Sequence, residues 1–246
     1  MTILPVGRQP YSASLLCGVC LMPAVQIFGH RGSVATHPEN SVAGFRHAMA
    51  CGADGVELDV MSARDDVLVV THDFLWKDGR RVGEHLGVDL PLPTLHGVLA
   101  LDAPEAFVFD VEAKIETGLG PNARRYAQLL HLAIRGAQVG RRVIVRSFDH
   151  DVLLAFHEIE PEVPLAALIE SASDRWVEVA HAACASIISP KHSTVTAERV
   201  DRAHEAGIRV SVWTVNEVKD WERFAAMGVD VLITDDPEAA LRYFGR

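Results

Sequence analysis

The sequence predicts a (β/α)8, or TIM, barrel of the α/β class. Three observations carry that expectation. Short apolar runs of strand length alternate with segments of helical period, several of them closed by glycine, and such alternation builds a parallel sheet. One pair of runs lies too close together for a crossover helix and must be an antiparallel hairpin. Setting its return strand aside leaves eight parallel strands, the number that closes a barrel. A chain of 246 residues has the length of one such barrel, and no linker or second domain interrupts residues 25–246.

Composition sets the class of partner. Hydrophobic residues make up 49% of the chain and charged residues 23%, enough for a large packed core and contrary to disorder. A net charge of -10 disfavours nucleic acid and anionic membrane surfaces. No basic amphipathic helix is present, so no stable membrane association is expected. An anionic substrate would require the site to reverse this field locally, through a metal ion or clustered Arg and Lys. Oligomeric state is left open.

Residues 1–24 read as an N-terminal extension. Their apolar run, 13–22, follows Arg8 and has the length of a signal-peptide core, but no small-x-small cleavage site follows it. It is too short to span a bilayer. Met22 is an alternative start. A cytoplasmic protein is expected, with a cleaved signal as the other reading. Cys17 and Cys20 form a C-x-x-C that lacks the partners of a zinc site and the setting of a redox motif.

Residues 25–28 read as the first strand, which ends in Gly29-His30-Arg31-Gly32 and is followed by Pro38-Glu39-Asn40-Ser41. A strand end that delivers an imidazole and a guanidinium to one spot suits an anionic substrate; the plain alternative for His30 is a hydrogen-bonded structural histidine. Residues 41–51 read as a helix, with Asn40 as N-cap and Gly52 as its stop. Residues 54–60 are the second strand. Glu57 and Asp59 are two residues apart and share a face. Val56, Leu58 and Val60 make the other face apolar, which argues against a solvated edge. Two inward carboxylates repel each other unless a cation lies between them, and hard oxygen donors suit such an ion.

Only residues 62–66 precede the next run, 67–70, so the turn falls near Arg64-Asp65-Asp66 and the returning strand brings His72 level with Glu57. Residues 74–92 read as a loop over the barrel mouth. Thr94 caps the helix that follows. Residues 107–114 are the third barrel strand, where Glu112 and Lys114 share a face with Asp110 one layer deeper; a Lys114–Glu112 salt bridge is the plain reading of that pair. Residues 122–138 read as a helix and 142–148 as strand four, in which Arg146 either adds positive charge at the mouth or pairs with an acidic surface. Strands five to eight follow at 164–168, 185–189, 209–214 and 230–234, with helices at 174–183, 196–206 and 217–227. Lys191 and His192 follow strand six towards the mouth. Trp213, at the end of strand seven, is either a core aromatic or a wall for an organic substrate group. His37 lies between the two opening motifs; the other histidines read as surface or structural. Asp66 and Asp73 read as local hydrogen-bond partners.

In combination these stretches resemble the glycerophosphodiester phosphodiesterase family. The resemblance rests on His30-Arg31-Gly32 with Pro38-Glu39-Asn40, Glu57-x-Asp59, His72-Asp73, Pro93-Thr94-Leu95, Glu112-x-Lys114, Ser147-Phe148-Asp149, Trp213-Thr214-Val215-Asn216, and Gly228-Val229-Asp230 with Thr234-Asp235. It runs from about residue 25 to about residue 240. It implies hydrolysis of glycerophosphodiesters to glycerol 3-phosphate and an alcohol. It also implies that Glu57, Asp59 and Glu112 hold one divalent cation, Mg2+ or Ca2+. Arg31 and Lys114 would hold the phosphate oxygens, His30 and His72 would form an acid–base pair on opposite sides of the phosphorus, and Trp213 would contact the substrate. Attack by a neighbouring glycerol hydroxyl and attack by water both stay open. The chain departs from the family in residues 74–92, which are shorter than the family's usual insertion. A short cap implies a small water-soluble diester and loose headgroup discrimination. A related enzyme acting on lysophospholipid or phosphoinositide, and a non-catalytic anion-binding barrel, are the alternatives.

Overall fold

Strand β1 (Gln26–Gly29) pairs in parallel with β2 (Gly55–Ser62) on one side and β9 (Val231–Thr234) on the other, and this double pairing closes the sheet. The structure is a computed structural model and describes residues 25–246 apart from positions 117 and 141. The expected extension, with its apolar run and the Cys17 and Cys20 pair, lies outside the described residues. β3 (Leu68–Val70) stands outside the ring, antiparallel to β2, with Val60 opposite Val70 and Ser62 opposite Leu68. The ring continues through β4 (Val108–Ala113), β5 (Val143–Ser147), β6 (Leu165–Ile169), β7 (Ile187–Pro190) and β8 (Arg209–Val212), each parallel to its neighbours. The molecule is therefore the expected eight-stranded parallel barrel with a hairpin return after its second strand.

Six helices fall where the sequence places them: α1 (Val42–Ala50), α2 (Leu95–Leu99), α3 (Ala123–Ala137), α5 (Trp176–Ala182), α6 (Ala197–Glu205) and α7 (Val218–Ala226). Two more, α4 (His150–Ile159) and α8 (Pro237–Tyr243), extend that reading. α4 buries Val152, Leu153 and Phe156, and Asp149 caps it by accepting the Asp151 N–H. α8 opens with Pro237 in its first turn, where the missing N–H costs nothing. One cap differs from expectation. Ser41, not Asn40, caps α1, its Oγ accepting the Gly44 N–H at 3.1 Å. An N-cap needs extended backbone; Ser41 has it, whereas Asn40 has φ +53°.

The apolar core divides by strand face. Outward residues such as Val56, Leu58, Val60, Phe109 and Val111 pack with helix residues Phe45, Leu130, Phe156 and Phe224 in the large core between barrel and helices. Inside the barrel a smaller cluster of Phe28, Ile144, Ala166, Ile187, Val231 and Ile233 fills the floor. Gly55 makes that floor possible, because a Cβ there would meet the Val108 carbonyl oxygen at 2.5 Å and the Phe28 ring at 3.0 Å. A third cluster, Met61, Ala63, Val69, Val82 and Leu90, lies beneath the segment 74–92 and holds Phe74 and Trp76. That segment is a loop with two single 3-10 turns, Val82–Glu84 and Gly87–Asp89. Within it His85 is buried, with Nε2 3.3 Å from Asp78 Oδ1.

Above the apolar floor the barrel interior becomes charged. Arg146 is 1% exposed and makes a two-pronged hydrogen bond to Asp110, which is also fully buried. Arg146 thus lies within the barrel on a buried partner, in place of the acidic-surface pair that is one of the two readings the sequence offers. The strand register explains the contact: Asp110 pairs with Ile144 and Glu112 with Arg146, so the side chains share an interior face. Removing one member of such a pair strands a buried charge at about 3–5 kcal/mol, whereas replacing both with apolar groups is often neutral. Arg146→Met should therefore lower unfolding stability in urea by about 3–5 kcal/mol, and adding Asp110→Leu should restore most of that loss. A single variant as stable as the parent would show that the pair contributes no such constraint.

Candidate active site

β1 ends in a turn that only its own sequence permits. A Cβ on Gly29 would lie 1.9 Å from the Gly32 carbonyl oxygen. Arg31 and Asn40 follow with φ +49° and +53°, left-handed conformations that are costly for residues other than glycine and persist only where the surroundings enforce them. Here the enforcing contacts are explicit. The His30 N–H donates to the Thr234 carbonyl at 2.7 Å, and the Asn40 N–H donates to the Arg31 carbonyl at 2.9 Å. The Arg31 N–H donates to Glu57 Oε2 at 3.1 Å.

The parallel register of β2 and β4 sets Glu57 beside Asp110 and Asp59 beside Glu112. One carboxylate oxygen from each of Glu57, Asp59 and Glu112 lies within 4.8 Å of the other two. All three residues are buried, at 2%, 1% and 9% exposure, so water contributes little to separating their charges. Two cations do. Lys114 Nζ is 3.2 Å from both Asp59 Oδ1 and Glu112 Oε1, so the expected salt bridge exists and is shared. Arg31 Nε lies 3.1 Å from Asp59 Oδ2 without the angle of a hydrogen bond, and its Nη1 donates to Glu39 Oε2 at 2.6 Å. Asn40 adds a neutral clamp. Its Nδ2 donates to Asp59 Oδ2 at 2.8 Å, and its Oδ1 accepts the Asp59 N–H at 3.2 Å.

The carboxylates respond differently to this shared environment. Burial pushes Glu57 well above the usual carboxylate range, and Asp59 and Glu112 push it further. Burial also raises Asp59, but Lys114, Arg31 and the Asn40 hydrogen bond together hold it below its ordinary value. Glu112 is raised by burial and by Asp59, against the pull of Lys114. Three buried hard-oxygen donors in reach of one point, with Glu57 in charge deficit, fit a divalent cation that would supply the missing positive charge.

Both candidate histidines are backed by carboxylates. His30 Nδ1 is 2.6 Å from Asp235 Oδ1, while Nε2 lies 4.0 Å from Glu57 Oε2. Asn216 fixes Asp235 from behind, donating from Nδ2 to Asp235 Oδ2 at 2.6 Å and accepting the Asp235 N–H at 2.9 Å. The hairpin delivers His72: the Thr71 N–H donates to the Asp59 carbonyl at 3.0 Å, and His72 Nδ1 is 2.9 Å from Asp73 Oδ1. With Nδ1 against a carboxylate in each ring, Nε2 is the atom left to exchange a proton.

His30, Arg31, Glu57, His72, Glu112, Lys114 and Trp213 line one cavity of about 150 Å³, together with Arg146 and Phe148. Asp59 does not line it; it is covered by Arg31, Lys114 and Asn40. Trp213 is half-buried. Its Nε1–H donates to the Ser189 carbonyl at 3.0 Å, and its ring meets Phe148 edge to face at 5.7 Å. Lys191 lies outside the cavity, 4.0 Å from Glu170, and His37 contacts Thr36 and the His47 ring. Neither joins the cluster. Asn216 and Asp235 are site residues that the sequence reading leaves without a role, and Asn40 is one that it reads only as a helix cap. Each belongs to a motif quoted above, which is the signal that points to them.

A parallel (β/α)8 barrel with a hard-oxygen cluster, two fixed cations and two carboxylate-backed histidines around one cavity defines an enzyme suited to phosphate esters. The sequence profile of the glycerophosphoryl diester phosphodiesterase family matches residues 30–87 and 78–239. A glycerophosphodiester phosphodiesterase of Caldanaerobacter subterraneus subsp. tengcongensis is 31% identical over 239 residues, covering 87% of this chain and 96% of the relative. One of Bacillus altitudinis is 30% identical over 243 residues, covering 88% and 97%. The fold matches that of an Oleispira antarctica phosphodiesterase, solved in complex with the product sn-glycerol-3-phosphate, at a TM-score of 0.84 and 20% identity over 91% of this chain and 98% of that one. The chain belongs to the glycerophosphoryl diester phosphodiesterase family and is a phosphoric diester hydrolase.

The Asp235–His30 contact has a pH signature. Burial raises Asp235, but hydrogen bonds from His30 and Asn216 hold it below its ordinary value. A depressed carboxylate contributes stability above its unfolded pKa of about 3.9 and loses it as pH falls through the folded value. The stability gap between the parent and Asp235→Asn should therefore be widest near neutrality and narrow below about pH 4, as read by urea unfolding at several pH values. A gap that widens in acid would contradict the assignment.

Proposed function

We propose that residues 25–246 form the catalytic unit and hydrolyse small soluble glycerophosphodiesters to glycerol 3-phosphate and an alcohol, with residues 1–24 as an extension. The observation that carries this reading is the convergence of Glu57, Glu112, two cations and two histidines on one cavity at the carboxyl ends of the strands, with Asp59 clustered directly behind the cations. The product named for the Oleispira antarctica protein supports the choice of substrate. Among the described residues no helix is long and apolar enough to cross a membrane, which is compatible with a soluble diester. Cys51 and Cys184 are free thiols, compatible with the cytoplasm.

Glu57, Asp59 and Glu112 would hold the divalent cation, Mg2+ or Ca2+. When bound, that ion supplies charge neutralisation at the phosphoryl oxygens. Arg31 and Lys114 hold the phosphate oxygens, with Arg31 anchored by Glu39 and Lys114 by its two carboxylates. One histidine takes a proton at Nε2 from the attacking group, either water directly or a neighbouring glycerol hydroxyl whose cyclic phosphate water then opens, and the other returns a proton at Nε2 to the departing alkoxide. Asp235 and Asp73 keep each ring in the tautomer that leaves Nε2 available. Trp213 and Phe148 give the organic part of the substrate an apolar wall.

Assay of a panel of glycerophosphodiesters with and without chelator tests this reading. Activity should vanish on exhaustive chelation and return with Mg2+ or Ca2+. Glu57→Gln should lower metal affinity and activity together, with partial recovery at excess metal. Full activity in chelator would remove the metal role. His30→Ala and His72→Ala should each lose about 10²–10⁴-fold in kcat, the usual contribution of a general acid or base, while His37→Ala should lose little. Equal, mild losses at all three positions would show the acid–base pair to be misassigned.

A further inference from the structure

The two carboxylates that anchor Lys114 are also two of the three that would hold the cation. Lys114 Nζ is 3.2 Å from Asp59 Oδ1 and 3.2 Å from Glu112 Oε1. The second Asp59 oxygen is committed as well: Oδ2 accepts from Asn40 Nδ2 at 2.8 Å and lies 3.1 Å from Arg31 Nε. Asp59 therefore has no oxygen free of a donor or a cation, and an ion bound there must share one with Lys114 or with Arg31. Glu57 is in the opposite position. Among the described residues no Lys or Arg side chain lies within ion-pair distance of it, and its near contacts are the Arg31 N–H and His30 Nε2.

Two cations on one buried carboxylate repel each other with little screening, so one of them gives way. Arg31 is fixed at several points. Its Nη1 donates to Glu39 Oε2 at 2.6 Å and its backbone N–H donates to Glu57 at 3.1 Å. Its φ of +49° belongs to a turn closed by the Asn40 N–H. Lys114 has no other ion-pair partner among the described residues and carries a compact charge on a flexible stem. It also has room to move. It lines the 150 Å³ cavity together with His30 and His72, and a more open cavity of about 620 Å³ shares it as a wall. The ammonium engages two carboxylates, whereas a dication engages three, Glu57 included. Higher charge and one more ligand make the ion the stronger competitor for this cluster.

We propose that Lys114 exchanges with the divalent cation on Asp59 and Glu112: its ammonium leaves these carboxylates as they take the ion, turns into the cavity and there receives a phosphate oxygen. The inference rests on the metal-dependent phosphodiesterase reading above and adds an order to it, the ion first and the phosphate second. Lys114 binds phosphate only once it is released. Until then it opposes the ion, because it has to be displaced. By linkage, phosphate that captures the released ammonium tightens the hold on the ion by the same factor as the ion tightens the hold on phosphate.

Calorimetric binding of Mg2+ or Ca2+ to the intact chain, without substrate, tests the exchange. Lys114→Met should bind the ion at least about 5-fold more tightly than the parent, the low end of typical coupling between sites. Lys191→Met, outside the cavity, should match the parent. Inorganic phosphate should tighten ion binding by a larger factor in the parent than in Lys114→Met. Direct contact between phosphate and ion is common to both proteins, so the difference belongs to Lys114. A second readout needs no variant and stays decisive if Lys114→Met folds poorly. The ion alone should speed acetylation of Lys114 in the parent relative to Lys77, Lys191 and Lys219, the other lysines of the chain, as followed by peptide mass spectrometry. An ion affinity unchanged or weakened in Lys114→Met, equal phosphate effects in the two proteins, or Lys114 acetylation unchanged or slowed by the ion would overturn the exchange while leaving metal-dependent hydrolysis standing. A parent that binds neither Mg2+ nor Ca2+ would overturn both.

Discussion

Three largely buried carboxylates set the terms for the rest of this molecule. Crowding their charges in a poorly screened interior is unfavourable, and the surrounding chain supplies cations and donors that oppose it. Lys114 divides its charge between Asp59 and Glu112, Arg31 approaches Asp59 from the first strand, and Asn40 spends both ends of its amide on the same aspartate. The strained backbone at Arg31 and Asn40 follows from the same demand. Both residues contact these carboxylates from a left-handed conformation, and those contacts help to hold it.

The barrel separates this charged region from its foundations. An apolar floor of Phe28, Ile144, Ala166, Ile187, Val231 and Ile233 lies within the ring, and Asp110 and Arg146 form a buried pair alongside the carboxylates. Arg146 of that pair adds a fixed cation to the interior that offsets part of the upward push on Glu57 and Glu112. Its own protonation is secure: burial disfavours the charged guanidinium, yet Asp110 and Glu57 raise its affinity for the proton beyond the ordinary value. Thr234 and the closing strand then complete the site from the opposite side of the ring, where the His30 N–H is received.

What the sequence discloses depends on the range of the interaction. The two-residue period of a strand is local, and it puts Glu57 with Asp59 and Glu112 with Lys114 on inward faces without reference to any other part of the chain. The five-residue gap before β3 is equally local, and it forces the hairpin that returns His72. Eight parallel strands follow from counting. The contacts that escaped are those made across the ring. Asp235 meets His30 over a separation of 205 residues, and no spacing rule anticipates that encounter. Asn40 illustrates a different failure: its residue type suits a helix cap, and only its positive φ releases that duty to Ser41 and turns its side chain to Asp59. Arg146 was legible as a charge at the mouth or on an acidic surface but not as the partner of Asp110, because the register between β4 and β5 decides which side chains meet.

The seam where the ring closes runs through His30. Its backbone N–H is bound by β9, and its side chain is held by the residue immediately after that strand. β9 and Asp235 are near the carboxyl end of the chain, whereas His30 belongs to the first strand. During synthesis the oxygen cluster on β2 and β4 can be present long before the imidazole is oriented. The order of events is therefore built into the topology: a partly made chain carries the carboxylates of β2 and β4 without the contact that orients the His30 imidazole, which forms only when the last strand docks against the first.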